Sequence, residues 1–361
     1  MKTKDFASWL GSELPKLGER RVLLGFDGFE DRVARLHGMD DMGKLGRYLL
    51  ERQGMSGLLP YQELGLKMGG NMPNAANALG RLGVACDCVG TLGEPEVETV
   101  FSGISTNCAL HTVGKPGRCL ALEFDSGKLM LSDNASVEAL CFETLVARIG
   151  MERLIEMHDL ADLICFLNWS ETPGLADIEG RCLRDVWPRL SAKPRTLLFD
   201  LADITSRKSE EIREELALIG GFSRYARTVL SLNENEARAA LRLLTGQDPG
   251  AFDTLADDAV RRHGERILQS AGVRMVIMRG NRRVFAVERD GFCAIHTLFV
   301  EKPTLMTGAG DNFDAGIAAA LLLDANLEQM LTMGTLVSSH YIELGESACP
   351  DSLIQYYQSR V

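Results

Sequence analysis

The stretch Thr307-Gly308-Ala309-Gly310-Asp311-Asn312-Phe313 stands directly before an apolar run, residues 315–323, that is typical of a helix. Glycines just before a helix let backbone N–H groups approach an anion closely, and the helix dipole adds positive potential there. At such a helix start Asp311 would lie beside a bound phosphate, placed to accept a proton from an attacking hydroxyl. Alternatively, Asp311 only caps the helix after a glycine turn. The stretch alone leaves both interpretations open.

A second glycine turn, Gly69-Gly70-Asn71-Met72-Pro73-Asn74, precedes a predicted helix over residues 75–82. Its glycines expose backbone, and the amides of Asn71 and Asn74 offer donors and acceptors that suit vicinal hydroxyl groups. A tight turn with an Asn cap and a Pro in the first helical turn would use the same residues. By itself this turn favours the structural interpretation.

Two further polar sites follow predicted strands. Asn233 and Glu236 would share one side of a first helical turn and could hold water ligands of Mg²⁺, although this spacing is also that of a capping box. Asp27, with Asp31 nearby, follows the first predicted strand, where a carboxylate could bind two sugar hydroxyls. A solvated loop Asp is the alternative for Asp27.

Around these sites, short apolar or β-branched runs alternate with amphipathic segments. The predicted strands are residues 21–26, 84–90, 162–167, 195–200, 228–232 and 273–278, and the predicted helices include residues 137–149, 206–218 and 255–270. This alternation predicts an α/β fold with a mostly parallel sheet and helices on both faces. Ligands of such sheets bind beyond the carboxyl ends of the strands.

Two regions interrupt the alternation. Residues 31–67 are polar and glycine-rich, and residues 108–132 indicate two or three strands, with a hairpin turn at Asp125-Ser126-Gly127. We expect these regions to form a small β-rich lid, from about 31–68 and 108–132, on a single domain spanning residues 1–361.

Composition narrows the function classes. The 361 residues carry 39 basic and 50 acidic side chains, a net charge of −11. An acidic chain repels phosphate backbones and anionic lipids, so neither nucleic acid nor membrane is an expected partner. Nine cysteines lack the spacing of a disulfide or zinc framework, and the first 21 residues lack a secretory apolar region. These features predict a cytoplasmic protein with reduced thiols.

Phosphoryl transfer requires a phosphate cradle, a metal organiser, a base and an acceptor pocket. The four sites together could supply all of these parts, and their joint occurrence is less expected by chance than any one of them. No G-x-x-x-x-G-K-[ST] loop and no protein-kinase motif set occurs in the sequence. The sequence therefore predicts a phosphotransferase of another fold.

The chain resembles the ribokinase/PfkB carbohydrate kinases. Gly69-Gly70 with Asn74, followed by Gly83 and Gly93, resembles the N-terminal signature of that family, and residues 308–311 resemble its C-terminal signature. Asn233 to Glu236 resembles its N-x-x-E element, and residues 273–279 with Gly280 resemble its strand and loop near the nucleotide phosphates. Order and spacing agree from about residue 21 to residue 350.

The resemblance implies a three-layer α/β/α sandwich with a lid, and transfer of the γ-phosphate of ATP, with Mg²⁺, to a hydroxyl of a sugar or sugar-like substrate. It implies roles by position: Asp311 as the base, Gly308, Ala309 and Gly310 as the anion hole, and Asn233 and Glu236 as metal and phosphate organisers. It places Asp27, Asp31, Gly70, Asn71 and Asn74 on the sugar side, and Arg279, Gly280 and Thr307 on the nucleotide side.

The sequence departs from the family pattern in places. Leu305-Met306 stands where the family often has Asp-Thr, so the pattern does not support a monovalent-cation requirement. The long separation between Asp27 and Gly69 implies an enlarged lid, and related lids often pair, so a homodimer through the lid is a further expectation. Residues 168–170 and Arg207 could contact an anionic group on the acceptor.

Two other functions stay open at this point. A nucleoside or vitamin-precursor kinase could use the same fold, although the lid offers few aromatic residues for a base. A catalytically silent ligand-binding protein could retain the fold, although the intact Asp311 favours an enzyme.

Overall fold

The computed structural model describes residues 3–125 and 127–360 of the chain. The described residues form thirteen strands in two sheets. In chain order the strands are β1 (Arg21–Phe26), β2 (Phe29–Leu36), β3 (Tyr61–Gly69), β4 (Ala85–Gly90), β5 (Cys108–Thr112), β6 (Gly117–Phe124), β7 (Gly127–Asp133), β8 (Leu163–Leu167), β9 (Thr196–Asp200), β10 (Arg227–Asn233), β11 (Met275–Arg279), β12 (Arg283–Glu288) and β13 (Gly291–His296).

The larger sheet has the strand order β13-β12-β11-β10-β9-β8-β1-β4-β5. The strands from β11 to β5 run parallel, and β12 and β13 extend one edge as an antiparallel hairpin. All six predicted strands lie in the parallel part. The hairpin is not among them: β13 is only partly buried and lacks the strongly apolar run typical of the others, whereas the short buried apolar run of β12 was missed.

Helices cover both faces of this sheet, which confirms the three-layer α/β/α fold. The α-helices of the described residues are α1 (Thr3–Glu13), α2 (Met42–Glu51), α3 (Asn71–Arg81), α4 (Ala135–Glu138), α5 (Phe142–Ile149), α6 (Met151–Leu160), α7 (Leu175–Arg181), α8 (Ser209–Gly221), α9 (Glu234–Thr245), α10 (Asp257–Ala271), α11 (Ala309–Leu322), α12 (Leu327–Leu344) and α13 (Pro350–Arg360), of which α2 packs on the smaller sheet instead. One apolar core lies beneath α1, α3 and α11 to α13, and the other beneath α5 to α10.

The predicted helix over residues 137–149 is in fact broken. Cys141 has an extended backbone, with φ −149° and ψ 172°, and it separates α4 from α5. The Phe142 N–H then donates to the Asp177 carboxylate at 3.1 Å, so a residue distant in sequence caps the new helix. Periodicity alone does not reveal a cap of this kind.

The second sheet has the order β3-β2-β6-β7 and forms the lid. Helix α2 packs on one face of it around a small cluster of Ala34, Leu36, Leu45, Leu122 and Phe124. The pairing of Phe124 with Gly127 joins β6 and β7, as the hairpin expectation requires, but Ser126 of the expected turn lies outside the described residues.

The expected lid boundaries need one correction. Residues 108–112 form β5, which pairs in parallel with β4 at the edge of the larger sheet. The second lid segment therefore begins at Gly117, and the first lid strand begins at Phe29. The local sequence of β5 is compatible with a strand in either sheet. Its pairing with β4, which places Cys108 beside Cys86, decides that β5 belongs to the larger sheet.

Helix α11 is held close to α12 by two glycines. A Cβ on Gly316 would lie 2.8 Å from the Gly334 Cα, so a side chain there would force the helices apart. This packing fixes the start of α11 above the carboxyl ends of the parallel strands. Within residues 3–125 and 127–360, no helix combines the length and the apolar character needed to cross a bilayer.

Candidate active site

Polar side chains collect where the parallel strands end. Asp27 follows β1, Asn168 follows β8, Asp200 ends β9, Asn233 ends β10 and Arg279 ends β11. The start of α11 lies over the same edge, which is where ligands bind in sheets of this kind. The structure therefore brings together all four sites that the sequence predicts.

The start of α11 has the backbone of an anion site. Gly308 is the N-cap residue, with a left-handed φ of +88°, and a Cβ there would lie 2.7 Å from the Tyr341 hydroxyl. That hydroxyl donates to the Thr307 carbonyl at 2.8 Å and so fixes the turn. Ala309 and Gly310 line an adjoining cavity. Only glycine fits position 308 without strain.

Asp311 lies in the first turn of α11 but does not cap it, because the N-cap is Gly308. Only 9% of the residue is exposed, and within the described part of the chain its carboxylate accepts no hydrogen bond. Burial raises the pKa of Asp311 well above its ordinary value, and the nearby carboxylates Asp200 and Asp27 add to the effect. A buried carboxylate without a protein partner is available to a substrate proton, so the capping alternative is wrong.

Arg279 supplies a cation beneath this turn. A Cβ on Gly310 would lie 3.1 Å from Arg279 Nη1, and the guanidinium also lies 4.8 Å from the centre of the Phe313 ring. Burial opposes its charge, but surrounding carboxylates, Asp314 foremost, raise the pKa of Arg279. The buried Nε has no hydrogen-bond partner among the described residues. A fixed positive charge therefore stands below the anion site.

Sequence reasoning did not single out Asp314 or Asp200. Asp314 lies one helical turn beyond Asp311, accepts a hydrogen bond from the Ser231 hydroxyl at 2.5 Å and lies 4.0 Å from Arg279 Nη2. Burial raises the pKa of Asp314 to about 8. The sequence feature that could have identified Asp314 is its i+3 spacing from Asp311, which puts both carboxylates on nearby faces of α11.

Asp27 is fully buried and already bound by the protein. Its carboxylate accepts hydrogen bonds from the Asn71 N–H and the Met72 N–H, both at 2.8 Å, and from Asn168 Nδ2 at 2.7 Å. Burial is the largest effect on its pKa, which rises to about 6. Because an ionised carboxylate has about four acceptor positions, roughly one remains for a ligand. Asp27 thus holds the start of α3, a role that the sequence did not predict.

The other predicted sugar-side residues surround Asp27. Gly70, with φ +98°, lets the backbone pass the Asp27 carboxylate, since a Cβ there would lie 2.9 Å from Oδ2. Asn71 and Asn74 are half-buried, and Asn74 Nδ2 donates to the Gly70 carbonyl at 2.9 Å. Burial raises the pKa of Asp31, which lies against Gly69.

Residues 168–170 and Arg207 differ from the expectation of an anion contact. Asn168 bonds to Asp27 instead, and its φ of +63° is a strained conformation held by the turn. The Arg207 guanidinium stacks on the Trp169 ring at 4.7 Å and lies 3.5 Å from Glu211. These contacts give Arg207 protein partners that account for its position.

Asn233 and Glu236 form a capping box at the start of α9. The Asn233 N–H donates to Glu236 Oε2 at 2.8 Å, the Glu236 N–H donates to Asn233 Oδ1 at 3.0 Å, and Asn233 Nδ2 bonds to Glu236 Oε1. Burial, and then Asp200, raise the pKa of Glu236. The described residues hold no group of three or more His, Cys, Asp or Glu arranged for a metal ion. Asn233 and Glu236 are the residues here that could hold a Mg²⁺ ion through water.

A cavity of about 740 Å³ opens beside the anion turn, within the usual range for small-molecule sites. Predicted nucleotide-side residues and apolar residues both line it. The lining includes Asn233, Arg279, Gly280, Ala309, Gly310, Val284, Phe299, Met306, Thr335 and Ile342. Thr307 is exposed beside the cavity, and its hydroxyl accepts a hydrogen bond from Lys128 of the lid.

Comparison with known proteins agrees with this geometry. A family model described as prokaryotic ketohexokinase matches residues 2–358. The chain belongs to the prokaryotic ketohexokinase family. A ketohexokinase from Haloferax volcanii is 30% identical over 346 residues, which cover 92% of this chain and 89% of that protein. Membership in the prokaryotic ketohexokinase family makes the protein a carbohydrate kinase and confirms the expected enzyme class.

Solved structures show that this chain has the ribokinase fold. Ribokinase from Thermotoga maritima matches with a TM-score of 0.63 at 17% identity, covering 94% of this chain and 99% of that chain. Ribokinase from Arabidopsis thaliana, complexed with ribose and ATP, matches with a TM-score of 0.66 at 16% identity, covering 94% and 98%. Together with the family model and the ketohexokinase relative, this shared fold confirms the resemblance to ribokinase/PfkB kinases.

Proposed function

We propose that this protein transfers the γ-phosphate of ATP to a hydroxyl of a ketohexose, with Asp311 as the general base. The observation that carries the proposal is the buried Asp311 carboxylate, free of protein hydrogen bonds at a glycine-lined helix start. Its charge interacts with Asp27 on the sugar side and with Arg279 on the nucleotide side. The family name and the ketohexokinase relative support a ketohexose as acceptor.

In the proposed reaction the acceptor hydroxyl attacks the γ-phosphorus in line with the departing oxygen of ADP. A new O–P bond forms as the bond to ADP breaks, and the hydroxyl proton passes to Asp311. The N–H groups of residues 308–310 and the Arg279 guanidinium stabilise charge on the transferred group. Mg²⁺, held through water by Asn233 and Glu236, would neutralise phosphate charge. Lid closure would exclude water from the reaction.

Two further aspects belong to the proposal. The nine cysteines are unpaired, which fits a reducing cytoplasm. Leu66 and Leu131 lie in one cross-strand row of the lid and are 46% and 51% exposed. Such apolar lid positions support pairing of two lids in a homodimer. Mass measurement in solution on wild type and Leu66→Glu tests this pairing, and a monomeric wild type would exclude it.

The test of function is a substrate panel with the purified protein, ATP and Mg²⁺. Ketohexoses, aldohexoses, pentoses and nucleosides are compared by ADP release, and phosphorus NMR identifies the ester formed. We expect ketohexoses to have the highest kcat/KM. Preferred phosphorylation of a nucleoside, or ATP consumption that no acceptor stimulates, would contradict the proposal.

A further inference from the structure

Lys128 is a lid residue that faces the active site. It lies near the start of β7, directly opposite Glu123 of β6. Its neighbours Leu122 and Leu129 form the next cross-strand pair, and both belong to or contact the apolar cluster under α2. Because side chains alternate along a strand, Lys128 points to the opposite face of the lid, away from α2.

The Lys128 ammonium links the two halves of the site. Nζ donates to the Thr307 hydroxyl at 3.2 Å, one residue before the N-cap of α11. The same positive charge offsets part of the rise that burial causes in the pKa of Asp31, whose carboxylate lies on the sugar side. Lys128 thus stands between the nucleotide side and the acceptor side, where the transferred phosphoryl group must pass.

Its present partners leave Lys128 able to bind an anion. Thr307 is a neutral acceptor, and Glu123 lies 3.7 Å away at a partly exposed position. An ammonium has three donors, so these contacts do not exhaust it. Hydrogen bonds between charged groups are roughly twice as strong as those between neutral ones. The Lys128–Thr307 bond has only its donor charged, so a phosphoryl oxygen, which carries negative charge itself, would add Coulombic attraction and displace the Thr307 hydroxyl.

We propose that Lys128 is a further catalytic residue, which contacts the transferred phosphoryl group from the lid while residues 308–310 and Arg279 contact it from the sheet. This inference rests on the proposed function. Charge in the transition state spreads over three equatorial oxygens, which the anion turn alone cannot surround. Lys128 neither gains nor loses a proton in the step. A contact completed only when the lid is closed over both substrates raises kcat more than it lowers KM.

The test compares Lys128→Met, Lys128→Arg and the control Lys44→Met by steady-state kinetics. Lys44 lies on α2, paired with Asp40 on the outside of the lid, so its removal takes the same charge from the same lid. We expect Lys128→Met to lose about 100-fold in kcat, in the range for one oxyanion donor, with a much smaller change in the sugar KM. Lys128→Arg should recover most of this loss, and Lys44→Met should resemble wild type.

Three results would overturn the role of Lys128: unchanged kcat in Lys128→Met, a loss confined to the sugar KM, or equal losses in the Met and Arg variants. The last would indicate a need for the lysine's shape rather than its charge. Wild-type turnover in the same assay reports the proposed function separately, so an active wild type with an indifferent Lys128 rejects this inference alone.

Discussion

The central sheet and the lid sheet are built from the same kind of strand but differ in burial. All five residues of β8 in the central sheet are buried, whereas β3 in the lid is exposed along most of its length and buried only at Gly69. Burial in the central sheet shifts the pKa values of carboxylates and fixes their geometry, while the lid is supported by one small apolar cluster. The difference suggests a division of work: the sheet fixes the proposed base and the anion turn, and the lid encloses them and brings Lys128 to them.

The largest effect is expected where the sheet positions the base. Asp311→Asn removes the proton acceptor but keeps the size and burial of the side chain. Because general-base catalysis contributes about 10²–10⁴-fold, kcat should fall by about a thousandfold. Calorimetric titration with an ATP analogue should show nearly unchanged nucleotide binding.

Asp351→Asn is the control for this change, because Asp351 is exposed in the first turn of α13, far along the chain from the site. It should retain wild-type kinetics. If the Asp311→Asn enzyme turned over at a near-normal rate, Asp311 would not be the base. The sheet would then not be shown to position the catalytic carboxylate.

The second effect concerns the acceptor side of the sheet. Asp27→Asn deprives Asn71, Met72 and Asn168 of a charged acceptor. The acceptor position left for the sugar loses its charge as well, and because one charge-assisted hydrogen bond contributes about 1.5–3 kcal/mol, kcat/KM for the sugar should fall by about 10- to 150-fold. The KM for ATP should change little. Steady-state kinetics with each substrate varied in turn separates the two.

Asp162→Asn is matched to Asp27→Asn, because Asp162 accepts the Arg21 N–H at 3.0 Å at the opposite end of β1. It tests whether loss of any carboxylate beside β1 has the same effect. If both variants lost sugar kcat/KM equally, Asp27 would be a structural residue of β1 rather than part of the acceptor site.

The sequence was sufficient for the parallel sheet and for the position of four polar sites at one edge of it, while the roles of those sites stay predictions. Those predictions depend on local patterns: apolar runs for strands, and glycines before helices. The roles of Asp27 and Asn168 were not predictable in the same way, because their hydrogen bond joins residues 141 positions apart. Asp314 was missed for a related reason, since its partners Ser231 and Arg279 come from two other strands.

The lid shows the same limit. Its strands were expected, but the assignment of residues 108–112 to the lid was wrong because strand pairing, rather than local composition, decides which sheet a strand joins. The capping box at Asn233 and Glu236 was predicted as the structural alternative, and the structure contains it. Its part in holding a metal stays a prediction.

A third effect, on stability, is expected only in the buried part of the molecule. Glu179 on α7 and Glu215 on α8 are both 1% exposed, and burial raises the pKa of each, to about 7 for Glu215. The unfolded chain releases these protons near pH 4.5, so the free energy of unfolding should fall as pH rises from about 5 to about 8. At about 1.4 kcal/mol per pKa unit, the rise from about 4.5 to about 7 at Glu215 alone corresponds to a fall of roughly 3 kcal/mol.

The free energy of unfolding of Glu215→Gln, measured with urea across this pH range, should fall less steeply than that of wild type, since one of the two buried acids no longer titrates. The neighbouring Glu214 is exposed, and Glu214→Gln should follow the wild-type curve. Parallel curves for Glu215→Gln and wild type would mean that this pair does not resist ionisation.

The smallest effect is expected in the lid. Leu45→Ala removes the α2 side chain from the lid cluster, and Leu45 is 8% exposed. Large-to-small changes in cores cost about 2–5 kcal/mol, and a site this near the surface should lie at or below the lower end. Hydrogen exchange should quicken in β2 and β6, while global unfolding and kcat change little.

Leu50→Ala on the same helix is the control, because Leu50 is 75% exposed. It should alter neither exchange nor kinetics. Leu45→Ala would instead behave like a buried substitution in the central sheet if the two sheets unfolded as one unit. A clear drop in the global unfolding temperature of Leu45→Ala would therefore contradict a separate stability of the lid.

The most direct measurement is a crystal structure of the protein with a ketohexose and a non-hydrolysable ATP analogue. The general-base role of Asp311 predicts that one sugar hydroxyl lies about 2.6–3.2 Å from an Asp311 carboxylate oxygen, with the terminal phosphate against residues 308–310. A hydroxyl that points at the phosphate while Asp311 lies beyond hydrogen-bond reach would contradict it.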